Sequence, residues 1–232
     1  MIVENVAVGE KIAEVVQKAA YSEEDRLRWG KTIKDFNNLF WQAHVQTWGN
    51  TKWRGVKVWK PATDLWIYQE LITEIKPDLI IETGTAFGGS ALYMRDVLDK
   101  EYPEGKIISI DIVHEVLEEK AKVPGIEFYL GGSTEESTLV YVKALIAAHK
   151  CERVMVILDS DHSEEHVTKE IDLYSSLVTA GSILIIEDTN NHLGAQAAAM
   201  NWGLVQVGFK KNLMCEKFML TFNRDGYWER EA

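Results

Sequence analysis

Two stretches, Ile157-Leu158-Asp159-Ser160-Asp161-His162 and Ile185-Ile186-Glu187-Asp188, decide how this chain folds. Each closes an apolar, β-branched run on polar groups, the pattern of a parallel strand buried on both faces whose carboxyl end opens onto solvent. In open α/β sheets, ligands gather at that edge. The carboxylates of Asp159, Asp161, Glu187 and Asp188 would then share one rim, and like charges at close range push one another towards protonation unless a cation stands between them. The two stretches therefore predict a hard divalent cation held beside His162.

Working outward, short apolar runs alternate with longer amphipathic stretches from Pro77 onward, the βαβ signature of a doubly wound sheet. Seven strands are expected, near residues 79–82, 106–111, 126–130, 154–159, 182–187, 204–209 and 217–222. The last two flank the turn-like Lys210-Lys211-Asn212, so the sheet is expected to be mostly parallel and to end in an antiparallel hairpin. Residues 1–75 read as a helical extension of this domain, which itself occupies 76–232. Six of the eight tryptophans (Trp29, Trp41, Trp48, Trp53, Trp59 and Trp66) fall in the extension, as packing against the main domain or as a substrate pocket wall.

A chain of 232 residues, 46% hydrophobic, suits one such domain with a full core. A net charge of −11 argues against a nucleic-acid partner, since phosphate binding needs a basic surface. Two distant cysteines, Cys151 and Cys215, fit neither a disulfide framework nor a zinc knuckle and suit a reducing compartment. The opening residues lack a signal-peptide pattern and no run reaches transmembrane length, so a soluble, cytoplasmic protein with a small-molecule ligand is expected. The apolar N-terminal layer and the terminal hairpin make a homo-oligomer plausible.

After the first strand comes Glu82-Thr83-Gly84-Thr85-Ala86-Phe87-Gly88-Gly89-Ser90, then a helix start. Glycines let the chain bend sharply and let a ligand approach, while the helix start offers free N–H groups. The spacing is Gly-x-x-x-Gly-Gly, not Gly-x-Gly-x-x-Gly, and no Lys-Ser/Thr pair follows, so neither NAD nor ATP is the favoured ligand. Asp111 ends the second strand, where an acidic side chain holds a ribose diol in nucleoside-binding folds. Ser133, after the third strand in Gly131-Gly132-Ser133-Thr134, would border the base or cap a helix.

These segments together resemble the cephalosporin hydroxylase and rhamnosyl O-methyltransferase family. The resemblance rests on Leu158-Asp159-Ser160-Asp161-His162-Ser163 with His166-Val167, Leu173-Tyr174, Gly181-Ser182 and Ile186-Glu187-Asp188-Thr189. Upstream it includes Lys60-Pro61, Asp64-Leu65-Trp66, Tyr68-Gln69-Glu70 and Pro77-Asp78-Leu79-Ile80-Ile81-Glu82-Thr83-Gly84-Thr85, and it spans roughly residues 50–228. It implies a class I, Rossmann-like methyltransferase fold that binds S-adenosyl-L-methionine and Mg²⁺ and methylates a hydroxyl of a sugar or other polyhydroxylated natural product. The implied cofactor residues are Glu82, Gly84, Thr85, Gly88, Ser90, Asp111, Ser133 and Asp159. Asp159, Glu187 and Asp188 are the implied metal ligands and His162 the implied base.

An all-oxygen set favours Mg²⁺, with Ca²⁺ or Mn²⁺ as alternatives, over zinc. Asp161, His166 and His192 stand near the set without an assigned role. The family's other label implies a partner in β-lactam tailoring, and a cofactor-binding scaffold without catalysis is the third reading.

Overall fold

The computed structural model describes residues 23–232. Helix α1 (Glu23–Gln42) leads into a short ribbon, β1 (Lys52–Trp53) and β2 (Val56–Lys57), and then into α2 (Ala62–Ile75). The sheet follows in alternation: β3 (Leu79–Thr83), α3 (Gly89–Glu101), β4 (Lys106–Asp111), β5 (Ile126–Leu130), α4 (Glu136–His149), β6 (Val154–Leu158), α5 (Glu164–Tyr174), β7 (Ile183–Ile186), α6 (Leu193–Val205), β8 (Phe209–Lys211) and β9 (Tyr227–Arg230). Strand order is β5-β4-β3-β6-β7-β9-β8, parallel from β5 to β7 and antiparallel at β7–β9 and β9–β8. The expected class I, Rossmann-like architecture is what forms, seven strands with helices on both faces.

The continuous apolar runs explain why. Ile80, Met155, Ile157 and Ile185 face α2 and α3, where they meet Leu71, Ile72, Met94 and Leu98. The alternate residues Ile81, Val156, Leu158 and Ile186 face α4, α5 and α6, against Val142, Val167, Ile171, Ala195 and Ala198. Every residue of β3, β6 and β7 is buried. Each such aliphatic side chain contributes roughly 1.5–3 kcal/mol on leaving water, so the central strands fix the frame, and their carboxyl ends carry Thr83, Asp159 and Glu187 to one edge.

The terminal strands lie elsewhere than the sequence predicts. Residues 204–205 close α6, because the Ala-rich stretch before them (Ala195, Ala197, Ala198, Ala199) favours helix, and the edge strand is β8 at Phe209–Lys211. Residues 217–222 form no strand; the pairing strand is β9. Tertiary partners take up the backbone of that apolar stretch. Asn37 donates to the Met219 carbonyl and accepts from Thr221 N–H, Asp64 accepts from Phe222 N–H, and Asn190 N–H donates to the Phe222 carbonyl. Among the described residues no helix is long and apolar enough to cross a membrane.

Candidate active site

A cavity of about 570 Å³ opens at the carboxyl edge, across the point where strand order reverses between β3 and β6. Its wall includes Gly84, Thr85, Ser90, Asp111 and Ser133 from the glycine turn and its neighbours, together with Asp159, His162, Asp188, His192, Trp41, Trp48 and Trp59.

The first half is built by the glycine turn. Gly84 adopts φ +83°, and a Cβ there would stand 1.8 Å from the Asp159 carbonyl oxygen, so only glycine lets β3 turn this close to β6. Asp111 organises the turn from β4: its Oδ2 accepts from Thr85 N–H at 2.9 Å and Ala86 N–H at 3.1 Å, and its Oδ1 from Val113 N–H at 3.3 Å. Glu82 and Gly88 lie off the cavity wall. Glu82 is fully buried beneath the turn and accepts from Ser90 Oγ and Ser109 Oγ; burial pushes its carboxyl up to about 7, against the pull of the Lys60 charge. Gly88, at φ +79°, gives room to Leu117 and Ala121 instead. Ser133 holds His166, whose Nε2 is 3.1 Å from Ser133 Oγ and 3.0 Å from Ser160 Oγ. The same Ser160 donates to the buried Glu170 at 2.7 Å, and the Glu170 carboxylate, as an acceptor for the protonated ring, raises the His166 pKa above its ordinary value.

The second half is charged. Lys60, only 3% exposed, extends from the residue before Pro61 and places Nζ 2.5 Å from Asp159 Oδ2 and 2.6 Å from Glu187 Oε1. Tyr68, within α2, donates its hydroxyl to Glu187 Oε1. Burial alone would drive Lys60 towards neutrality, yet the carboxylates of Asp159, Glu187 and Glu82 outweigh it and raise its pKa. Burial raises Asp159 and Glu187 in turn, with Lys60 opposing. Behind them Asp64, wholly buried, is pushed up to about 7 by desolvation while accepting from Phe222 N–H.

Asp188 turns away from this group. It sits at φ +59°, its N–H donating to Asn223 Oδ1, and its Oδ2 lies 3.1 Å from His162 Nε2 and 3.9 Å from His192 Nε2. The two imidazoles stack at 4.6 Å, and Trp41 meets His192 edge-on at 5.3 Å. Gly194 allows this contact, because a Cβ there would lie 2.4 Å from the His162 carbonyl oxygen. Burial lowers the His162 pKa, but the Asp188 hydrogen bond and the nearby Asp159 charge prevail and raise it; His192, desolvated and beside His162, is held low. Asp161 is exposed and caps its own loop by accepting from Ser163 N–H at 2.8 Å.

The expected metal set is thus split. Asp159 Oδ2 and Glu187 Oε1 face an ammonium, with Asp159 Oδ1 4.0 Å from His162 Nε2, whereas Asp188 Oδ2 faces two imidazoles. Among the described residues, the group whose ligand atoms all lie within 4.8 Å of one another is His162, Asp188 and His192. Carboxylates that would hold a hard cation are present at one edge, but not in a conformation that converges on one. Sequence reasoning recognised Lys60 and Tyr68 only as parts of a resemblance and gave them no role; nothing local marks a lysine that is destined to meet acids 99 and 127 residues away. Of the six N-terminal tryptophans, Trp41, Trp48 and Trp59 line the cavity, the first two stacked at 4.7 Å and Trp59 against Phe87 at 4.8 Å, whereas Trp53 donates to Asp96 and Trp66 to Glu70 away from it.

Comparison with known proteins places this geometry in a lineage. The model of the Rhamnosyl O-methyltransferase/CmcI family matches residues 45–231. Rhamnosyl O-methyltransferase of Mycobacterium leprae (strain TN) is 38% identical over 150 residues, covering 65% of this chain and 65% of the relative. Its counterpart from Mycobacterium bovis (strain BCG / Pasteur 1173P2) is 34% identical over 151 residues, covering 65% and 61%. The match therefore spans a little under two thirds of those relatives' length. Among solved structures, CmcI in its apo form superposes with a TM-score of 0.64 at 19% identity, covering 78% of this chain and 76% of that one. CmcI with Mg and SAM gives 0.62 at 19%, covering 78% and 77%. At that identity the likeness establishes the fold.

Proposed function

The chain belongs to the Rhamnosyl O-methyltransferase/CmcI family, and from that premise we propose that it is an S-adenosyl-L-methionine-dependent O-methyltransferase acting on a hydroxyl of a sugar or other polyhydroxylated small molecule. One observation supports the reading: the glycine turn with Asp111 and the His162–Asp188 pair line the same cavity. A nucleoside seated on the turn directs its sulfonium towards that pair. Asp111 keeps acceptor capacity for a ribose diol while it ties the turn, and Ser133 borders the base.

His162 is the base. Asp188 fixes its ring, and neutral imidazole removes the acceptor's proton as the hydroxyl oxygen attacks the methyl carbon. Trp41, Trp48 and Trp59 form an apolar wall that orients the acceptor and excludes water. Holding oxygen, carbon and sulfur in line supplies much of the acceleration, of the order of 7–11 kcal/mol for a well-positioned bimolecular step. A divalent ion such as Mg²⁺, held by Asp159, Glu187 and Asp188, would add Lewis acidity that lowers the pKa of the acceptor hydroxyl; those carboxylates fit it in kind, provided that Lys60 moves.

The test is transfer of labelled methyl from S-adenosyl-L-methionine to a panel of rhamnosides and other diols. Product is expected with wild type and its loss with His162→Gln; wild type that binds the cofactor but methylates none of the panel contradicts the acceptor class, and no cofactor binding contradicts the reading itself.

A further inference from the structure

The ammonium of Lys60 occupies the place from which a cation would bind both Asp159 and Glu187. Nζ stands 2.5 Å and 2.6 Å from one oxygen of each. An ion bonded to the same two oxygens needs contacts of about 2.0–2.1 Å for Mg²⁺, so it overlaps the nitrogen, and the two cations exclude each other. The arrangement is built in. Lys60 is 3% exposed where lysines normally carry their charge out to water. Its backbone is anchored because the next residue, Pro61, caps α2 with φ −64°. Tyr68 donates to the oxygen of Glu187 that Lys60 also holds, so Glu187 is oriented towards the lysine from two sides. Asp159, 22% exposed at its side chain, keeps Oδ1 turned to the cavity and to His162, 4.0 Å away.

We propose that Lys60 is the resident cation of the Asp159–Glu187 pair, and that a divalent ion engages both carboxylates only by displacing its ammonium, so that Lys60 sets the chain's metal affinity. The proposal rests on the reading of Asp159, Glu187 and Asp188 as the ion's holders. Without a metal, Lys60 acts as a positioning residue, keeping two like charges assembled at the rim. With one, its displacement is a cost that the ion's binding must overcome, and affinity is correspondingly weak. A neutral side chain of similar length removes that competition.

Mg²⁺ is titrated into the full chain by calorimetry, for wild type and Lys60→Met. Affinity at least about tenfold tighter in the variant is expected, equivalent to about 1.4 kcal/mol, together with a melting temperature that rises with Mg²⁺ more steeply than that of wild type. Equal or weaker binding in the variant overturns the proposal while leaving the acids as metal holders. Binding by neither chain sinks both readings. Should Lys60→Met fail to fold, the wild type provides the second measurement: in ¹⁵N-lysine-labelled protein, the ammonium resonance absent from Lys60→Arg is expected to shift as Mg²⁺ saturates. A resonance that stays in place while Mg²⁺ binds contradicts displacement.

Discussion

The two walls of the cavity solve opposite problems. The turn wall places polar groups of the backbone around one acid, Asp111, whose two oxygens take three N–H donors, two of them from the glycine turn after β3. The acid wall gathers carboxylates from the ends of β6 and β7 and brings a cation from before α2 to hold two of them. One wall is made by backbone geometry, a turn at φ +83° tied down by Asp111, and leaves no room for a side chain at Gly84. The other is made by charge balance among residues far apart in sequence, and a change of one partner leaves the rest uncompensated. On the proposed function, the difference would separate recognition from chemistry, the preformed turn seating the cofactor and the charged edge acting on the acceptor.

Changes on the acid wall should therefore strike turnover and spare cofactor binding. His162→Gln is expected to lower kcat by about 10²–10⁴-fold, with affinity for S-adenosyl-L-homocysteine, measured by calorimetry, unchanged within a factor of about two; parallel loss of both would merge the two walls into one function. On the turn wall the largest effect is on the fold. Gly84→Ala places a methyl 1.8 Å from the Asp159 carbonyl at φ +83°, and a loss of about 3 kcal/mol or more in chemical denaturation is expected. A near-neutral result would show that the close approach of β3 to β6 can relax.

Asp111→Ala comes next, with cofactor-product affinity falling by about tenfold or more through the lost charged hydrogen bonds, and kcat at saturation less affected. The smallest effect belongs to the boundary between the walls, where His166 meets Glu170, 3.6 Å apart. Because Glu170 raises the His166 pKa in the folded chain, the pair's contribution is fully present below the ordinary histidine value near 6.5 and is lost as pH rises through the folded value. The stability difference between wild type and His166→Gln is expected to shrink over that interval, by less than about 1 kcal/mol given the partial exposure of His166. An unchanged or growing difference in urea denaturation across the same pH range contradicts the coupling.

The same contrast governs what the sequence reveals. β3, β4, β5, β6 and β7 were legible because strands buried on both faces must be apolar throughout, and Gly84 and Asp111 because each stands at the end of such an apolar run. The split of the acids was not legible. Asp159, Glu187 and Asp188 reach one edge as the pattern demands, but which cation each faces depends on Lys60, Tyr68 and the rotation of Asp188 at φ +59°. Glu82 looked like a cavity residue by position and is a buried support, since strand pleating turns it towards Ser90 and Ser109. The terminal strands were misplaced for a related reason: 217–222 has strand-like composition, but its backbone is claimed by Asn37, Asp64 and Asn190.

The most direct test of a cofactor seated on one wall and presented to the other is a crystal structure of the chain with S-adenosyl-L-homocysteine. The expected result is the ribose diol on Asp111 and the sulfur facing the His162 side of the cavity. Ribose bound away from Asp111, or sulfur turned from His162, would contradict it.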